Sequence, residues 1–240
     1  MLWLMAWAVG VAAAADPATI TSRLTEIDTV RSLRAAEGVP TIPESAYASI
    51  LSGDVETGIV SVEGHAAKKA WGLAVVDAPI ERLWAAINDD LGGVAYNKLE
   101  MSEVVSGTRC NSGRGVLQLL PVPWVTDRWW ITFITANDAI STATSGRVRE
   151  NTWQSNNDPS LVTTTTGQAA MEAGIPIEFT KGAWFMADID GSSTLIEYYV
   201  WSDPGGSVPA GLASRMAAGG IEDTIEAVTK FANEGQPGCM

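Results

Sequence analysis

The chain has 240 residues, 46% of them hydrophobic, and a formal net charge of −13. Its length and hydrophobic content are typical of one domain that buries a sizeable core. The acidic surplus argues against nucleic acid as a partner, because nucleic-acid binding needs clustered Lys and Arg to displace counterions from phosphates.

The first fifteen residues are apolar and end in four alanines before Asp16-Pro17. This pattern is typical of a secretory signal peptide, so we expect residues 1–15 to be removed and the mature protein to be exported, periplasmic or extracellular. The alternative is an uncleaved anchor, but the apolar run is too short to cross ~30 Å of hydrocarbon.

Residues 16–54 read as an N-terminal helical segment. Ile20, Leu24, Ile27 and Val30 recur at helical spacing, which predicts a helix over 19–37 that ends at Gly38. A second short helix is predicted over 44–51.

Two strands and a helix come next: the strand runs are 58–63 and 68–76, and the helix begins after Pro79 and ends near Gly92. From Leu99 the pattern is almost all strand, with turn residues between the runs. The strands are predicted over 99–105, 115–122, 128–136, 146–155, 161–166, 178–189 and 194–201.

The last strand stops at Asp203-Pro204-Gly205-Gly206, where two glycines permit a reversal. Ser207 is a suitable helix cap and Pro209 suits a first helical turn, so we expect a long helix that ends near Asn233. Residues 235–240 are expected to form a flexible tail.

This layout resembles the START lipid-binding family of the helix-grip superfamily, on two motifs. One is the Asp203–Gly206 turn with Pro209, after Gly182-Ala183-Trp184 on the preceding strand. The other is PWVTDRWWIT, residues 123–132, where Arg128 falls on the arginine of the family's Arg-Asp pair and Trp129 takes the aspartate position. The resemblance implies an α+β fold over residues 55–234, in which a curved antiparallel sheet wraps around a long C-terminal helix.

The same resemblance implies a hydrophobic ligand, such as a lipid, sterol or isoprenoid, held between the sheet and the last helix for transport or presentation. Strand alternation places arginines among the tryptophans, and a buried arginine needs a carboxylate, a ligand head group or water. Large aromatic rings can wall a cavity, and an unbranched Met can adapt to its contents. We expect the ligand-binding residues to be Arg128, Trp130, Arg149, Trp153, Trp184, Met186, Tyr198, Leu212 and Met216.

Two other functions stay open. An enzyme of the same superfamily would orient a polyketide-like or aromatic substrate for cyclisation or dehydration, with Arg128, Arg149, Tyr198 and Glu150 as acid-base candidates. A binding module with a filled core would act through its acidic surface.

The inventory of reactive residues is small. The single His65 leaves the usual histidine-dependent constellations without support, whereas paired carboxylates stay open because acidic residues are abundant. Nothing in the sequence demands an enzyme, and we expect no catalytic residues, no metal and no cofactor. Cys110 and Cys239 can pair in an oxidising compartment, which the sequence leaves open. We expect a monomer that meets membranes only transiently, because its negative charge opposes stable docking on anionic lipid.

Overall fold

The computed structural model describes residues 15–206 and 210–240, with side chains described outside residues 210–219. The helices are α1 (Pro17–Asp28), α2 (Glu44–Ser49), α3 (Ile80–Asn88), α4 (Asp138–Ala143), α5 (Thr165–Ala173) and α6 (Ala210–Glu234). The strands are β1 (Glu56–Val60), β2 (Lys69–Val76), β3 (Met101–Ser106), β4 (Arg114–Leu120), β5 (Asp127–Ala136), β6 (Val148–Ser155), β7 (Gly174–Pro176), β8 (Phe179–Asp188) and β9 (Thr194–Asp203). Short 3₁₀ turns lie at Arg31–Leu33, Ile50–Ser52 and Pro159–Leu161.

The described strands form one sheet in the order β1-β2-β9-β8-β6-β5-β4-β3. All these neighbours are antiparallel, and the short β7 adds a parallel pairing beside the start of β5. The terminal helix α6 lies against β1, β2 and β9. The predicted α+β helix-grip fold is confirmed.

The central strands of the sheet are buried on both faces, which we call inner and outer. On the inner face, α3 and α6 pack on β2, β8 and β9 through a cluster that includes Ala74, Leu83, Met186, Ile196 and Ile225. On the outer face, α1 and α2 cover the same strands, and α5 covers β4 and β5. The N-terminal helical segment is therefore a layer of the core.

Buried charges tie this N-terminal segment to the outer face. Arg31 donates two hydrogen bonds to Glu197 (2.5 and 2.8 Å), and Arg34 bridges Glu197 (2.8 Å) and Glu150 (3.1 Å). The Tyr47 hydroxyl also donates to Glu197, at 3.0 Å. Both glutamates are buried, so two arginines balance two desolvated carboxylates.

Gly72 on β2 lets α6 approach the sheet closely. A β-carbon at this position would lie 2.4 Å from Ile221 Cγ2 and 2.9 Å from Ile225 Cδ1. The helix therefore touches the sheet at β2, and any space between the two has to lie towards the other strands.

The turn before α6 uses its glycines as predicted. Gly205 and Gly206 have φ angles of 64° and 66°, the left-handed region that favours glycine. The Asp203 side chain accepts a hydrogen bond from the Gly205 amide at 3.0 Å. The predicted cap at Ser207 and first-turn Pro209 lie outside the described residues.

Two sequence predictions about local structure were wrong. Residues 161–166 do not form a strand, because Asp158 caps a 3₁₀ turn and Thr164 accepts a hydrogen bond from Gly167 to start α5. The first helix ends at Asp28 and the chain continues as a 3₁₀ turn, well before Gly38.

A disulfide joins Cys110, in the loop between β3 and β4, to Cys239 near the C-terminus. The Gly238 amide donates to Asp89 Oδ2 at 2.6 Å, and Arg109 Nη2 donates to Asp89 Oδ1 at 2.6 Å. The C-terminal residues are thus attached to the loop after α3.

Across the described segments, no helix combines the length and the apolar composition that crossing a membrane requires.

Candidate functional site

A cavity of about 580 Å³ lies between the inner face of the sheet and α6. Its floor comes from β4, β5, β6, β8 and β9, and its roof includes α3, the loop after α3 and the second half of α6. The helix α6 touches the sheet at Gly72 on β2, and the cavity lies beyond this contact, over the other strands.

Five of the predicted ligand-binding residues come together around this cavity. Because inner-face side chains alternate along each strand, residues from four different strands share one surface. The five are Arg128, Trp130, Trp153, Trp184 and Tyr198.

Three of the aromatic side chains pack against one another. The Tyr198 ring lies between Trp184 and Trp153, with ring centroids 4.2 and 5.6 Å away. Trp130 is fixed from the neighbouring strand, since its Nε1 donates to Gln118 Oε1 at 2.8 Å. Burial raises the pKa of the Tyr198 hydroxyl well above its ordinary 10.0, so it remains a neutral phenol.

Two of the predicted residues lie elsewhere. Arg149 shares the inner face with Trp153 but lies outside the large cavity, where it donates to Glu81 at 3.0 Å. Met186 is fully buried beneath α3 and packs in the inner-face core. Each sits farther along its strand than the cavity extends. The side chains of Leu212 and Met216 lie outside the described residues.

Arg128 is buried, with 4% of its surface exposed, at one end of the cavity. Its Nε donates to the Pro204 carbonyl at 2.8 Å, its Nη2 to the Gly205 carbonyl at 3.4 Å, and its Nη1 to the Thr126 carbonyl. The guanidinium therefore holds the turn before α6 in place.

Arg114 lies at the opposite end of the inner face and, unlike Arg128, has a carboxylate partner. It is fully buried and forms a two-pronged ion pair with Asp90, at 2.6 and 3.1 Å. Burial raises the pKa of Asp90, although the contact with Arg114 acts in the opposite direction. Arg114 also donates to Asn88 Oδ1, which accepts a further bond from Asn151 Nδ2 at 2.9 Å.

Several cavity residues were not predicted from the sequence. Asn151 lines the cavity, and its Oδ1 accepts no hydrogen bond from any described residue. Gln118 and Thr180 contribute polar groups from β4 and β8, and Thr224 and Ala227 line the roof from α6. The strand residues could have been found from the pattern: Asn151 alternates with Trp153 and Thr180 with Trp184, and Gln118 lies opposite Trp130. The roof residues depend on the rotation of α6, which the pattern does not give.

Of the four acid-base candidates of the enzyme hypothesis, Arg128 and Tyr198 line the cavity, whereas Arg149 and Glu150 do not. Glu150 pairs across the sheet with Phe185 and faces the outer layer, where it binds Arg34 and the Ala35 amide. Tyr198 faces the cavity on the opposite side. Within residues 15–206 and 220–240, no cluster of three or more His, Cys, Asp or Glu side chains is placed to hold a metal ion.

The fold has counterparts in solved structures. The chain is similar to a STAR-related lipid transfer protein from Xanthomonas axonopodis, with 18% identity, 74% of this chain and 93% of that chain covered, and a TM-score of 0.60. It is also similar to human STARD10, with 14% identity, 87% and 78% covered and a TM-score of 0.62. Human StAR-related lipid transfer protein 5 matches with 11% identity, 91% and 97% covered and a TM-score of 0.59.

These likenesses show that the chain has the START-like helix-grip fold. No protein-family model matches the chain, and no curated protein matches it in sequence.

Proposed function

We propose that this protein is an exported START-like carrier that holds a hydrophobic small molecule between its sheet and α6, without covalent chemistry. One observation carries the proposal: the cavity of about 580 Å³ is walled by Trp130, Trp153, Trp184 and Tyr198. A space of this size, mostly apolar with a few polar groups, is typical of small-molecule sites. Two of the similar structures bear the name of lipid transfer proteins, which supports the same function.

The cavity volume supports a ligand of moderate size. At about 30 Å³ for each non-hydrogen atom, the share of a water molecule in the liquid, the space takes on the order of 20 atoms. This estimate favours a single-chain lipid or an isoprenoid over a lipid with two long chains.

Export is supported by the disulfide between Cys110 and Cys239. Disulfides persist in oxidising compartments and are rare in the cytosol, so the bond fits a periplasmic or extracellular protein. The net charge of −13 favours brief encounters with membranes, because an acidic surface is repelled by anionic lipid.

The other two functions find less support in the described residues. The enzyme hypothesis loses Glu150 to the outer face of the sheet, and Arg149 to a contact outside the cavity. The binding-module hypothesis needs a filled interior, whereas the described side chains leave a cavity.

The test is direct measurement of bound lipid and of dye uptake. Native mass spectrometry with solvent extraction should find a co-purified hydrophobic molecule, and the delipidated protein should take up the neutral dye Nile red. Ala227→Trp should block uptake, because Ala227 lines the roof of the cavity. Glu226→Trp is the matched control, since Glu226 is exposed on the same helix. A wild-type protein that carries no lipid and takes up no dye would refute the proposal.

A further inference from the structure

Two arginines are buried among the described residues, Arg114 and Arg128, and only one of them has a carboxylate partner. Arg114 pairs with Asp90, so its charge is balanced inside the protein. Arg128 contacts three backbone carbonyls. A carbonyl accepts a hydrogen bond but carries no net charge, so Arg128 has no ion-pair partner among the described residues.

The missing counter-charge does not lie in the rest of the chain. Within residues 15–206 and 220–240, no carboxylate oxygen lies within 4.0 Å of the Arg128 guanidinium. Residues 1–14 and 207–219 contain no Asp or Glu. Asp127 and Asp203, the acids beside Arg128 and in the turn that it binds, accept the backbone amides of Val122 and Gly205 instead.

The guanidinium also has unused donors. It carries five N–H groups, of which the described contacts use one from each nitrogen, so two have no described acceptor. Burying a cation without a counter-ion is costly. Arg128 lines the cavity, so a bound molecule can supply both the charge and the acceptors.

We propose that Arg128 binds the anionic head group of the ligand, a carboxylate or a phosphate monoester, so that the cavity takes a single-chain acidic amphiphile. This inference rests on the proposed function and adds the chemical class of the ligand to it. Planar, two-pronged recognition of carboxylate and phosphate is the geometry for which arginine is suited. The chain of the ligand then runs from Arg128 along the wall of Trp130, Trp153 and Tyr198.

The experiment compares ligands that differ only in the head group. Displacement of Nile red from the delipidated protein is measured with hexadecanoate, monohexadecyl phosphate and 1-hexadecanol, at a pH where both acids are ionised. Wild type should bind at least one of the two acids about tenfold or more tightly than the alcohol, as expected for a charge-assisted contact. Which acid binds more tightly identifies the head group.

Variants of two arginines then locate the effect. Arg128→Gln should lower the acid-to-alcohol ratio to about twofold while leaving the alcohol bound, and Arg128→Lys should restore part of the preference. Arg149→Gln is the matched control: it removes a positive charge from the inner face outside the cavity and should keep the wild-type ratio. If Arg128→Gln does not fold, the comparison of ligands on wild type and on Arg128→Lys still decides the question.

Three results have distinct meanings. Equal affinities for acids and alcohol in wild type would overturn the head-group assignment and leave the carrier function intact. A preference for acids that persists in Arg128→Gln would also overturn it. If the protein neither takes up Nile red nor contains a bound lipid, the carrier function itself fails.

Discussion

Replacing Glu197 by Gln tests the buried charges that attach the N-terminal segment to the sheet. Glu197 has 3% of its surface exposed and accepts bonds from Arg31, Arg34 and Tyr47. The amide keeps the shape, but it carries no charge and turns an N–H group towards donors. Arg34 then keeps only the carboxylate of Glu150, and Arg31 keeps only that of the exposed Asp28.

The expected loss follows from this geometry. Removing one member of a buried charge pair costs about 3–5 kcal/mol, because the remaining charges stay desolvated. For a domain of this size, each kcal/mol shifts Tm by roughly 2–4 °C, so the variant should melt about 6–20 °C below wild type. Urea denaturation followed by tryptophan fluorescence gives the free energy of unfolding, and calorimetry gives Tm.

Arg147→Gln is the matched control for Glu197→Gln. Arg147 also connects the N-terminal segment to the sheet, through Glu26 at 3.4 Å, but the two side chains are 48% and 57% exposed. Solvent screens such a pair, so its loss should cost less than about 1 kcal/mol. If Glu197→Gln destabilises the protein no more than Arg147→Gln does, the reasoning about buried charge is refuted. Nile red affinity should change less than about twofold in both, because the charges lie on the outer face.

Three further predictions concern the inner face and the C-terminus. Gly72→Ala should destabilise the protein by about 1–3 kcal/mol in urea denaturation, because the new β-carbon meets Ile221 at 2.4 Å; an unchanged midpoint would contradict the close contact. Reducing the disulfide, or making the double variant Cys110→Ser/Cys239→Ser, should lower the free energy of unfolding by up to about 5 kcal/mol. This magnitude comes from the chain-entropy model for a loop closed across 129 residues. Equal stability with and without reductant would contradict it. Burial raises the pKa of Asp89, but hydrogen bonds from backbone amides and an arginine outweigh it, so the pKa lies below its ordinary 3.8. The ionised Asp89 carboxylate therefore contributes its full stabilisation above pH 3.8, and this stabilisation is lost as the pH falls through the lowered pKa. Hydrogen exchange in the Cys110→Ser/Cys239→Ser variant should show the C-terminal tail released at acid pH. Adding Asp89→Asn to this variant should release the tail at neutral pH as well. A tail that stays protected at acid pH and after Asp89→Asn would refute the contact.

The sheet and its closing helix could be predicted because their signals are local. Alternation in β5 and β9 and the turn residues between strands depend on neighbours in the chain. The Asp203–Gly206 turn needs positive φ at its glycines, and the structure has it there. The strand predicted over 161–166 failed for a local reason too: threonine favours strands by shape, but Thr164 serves as a helix cap.

The layer formed by the N-terminal segment could not be predicted, because it depends on which elements meet across the sheet. A signal was nevertheless present in β9, where Glu197 alternates with Leu195 and Tyr199 on one face. A carboxylate in a buried row needs a partner from another element, and Arg31 and Arg34 supply it. The cavity wall was predicted only in part for the same reason. Alternation places Met186 and Trp184 on one face, but only packing determines that α3 covers Met186 and leaves Trp184 at the cavity.

The bond between Cys110 and Cys239 makes most of the chain a covalent ring. Strands β4 to β9 and helix α6 all lie between its two ends. A protease that cuts an exposed turn within this ring, such as the one at Gly146, therefore yields two pieces that still migrate together on a non-reducing gel. A cut before the ring, such as one at Gly64, yields an N-terminal piece that separates on the same gel.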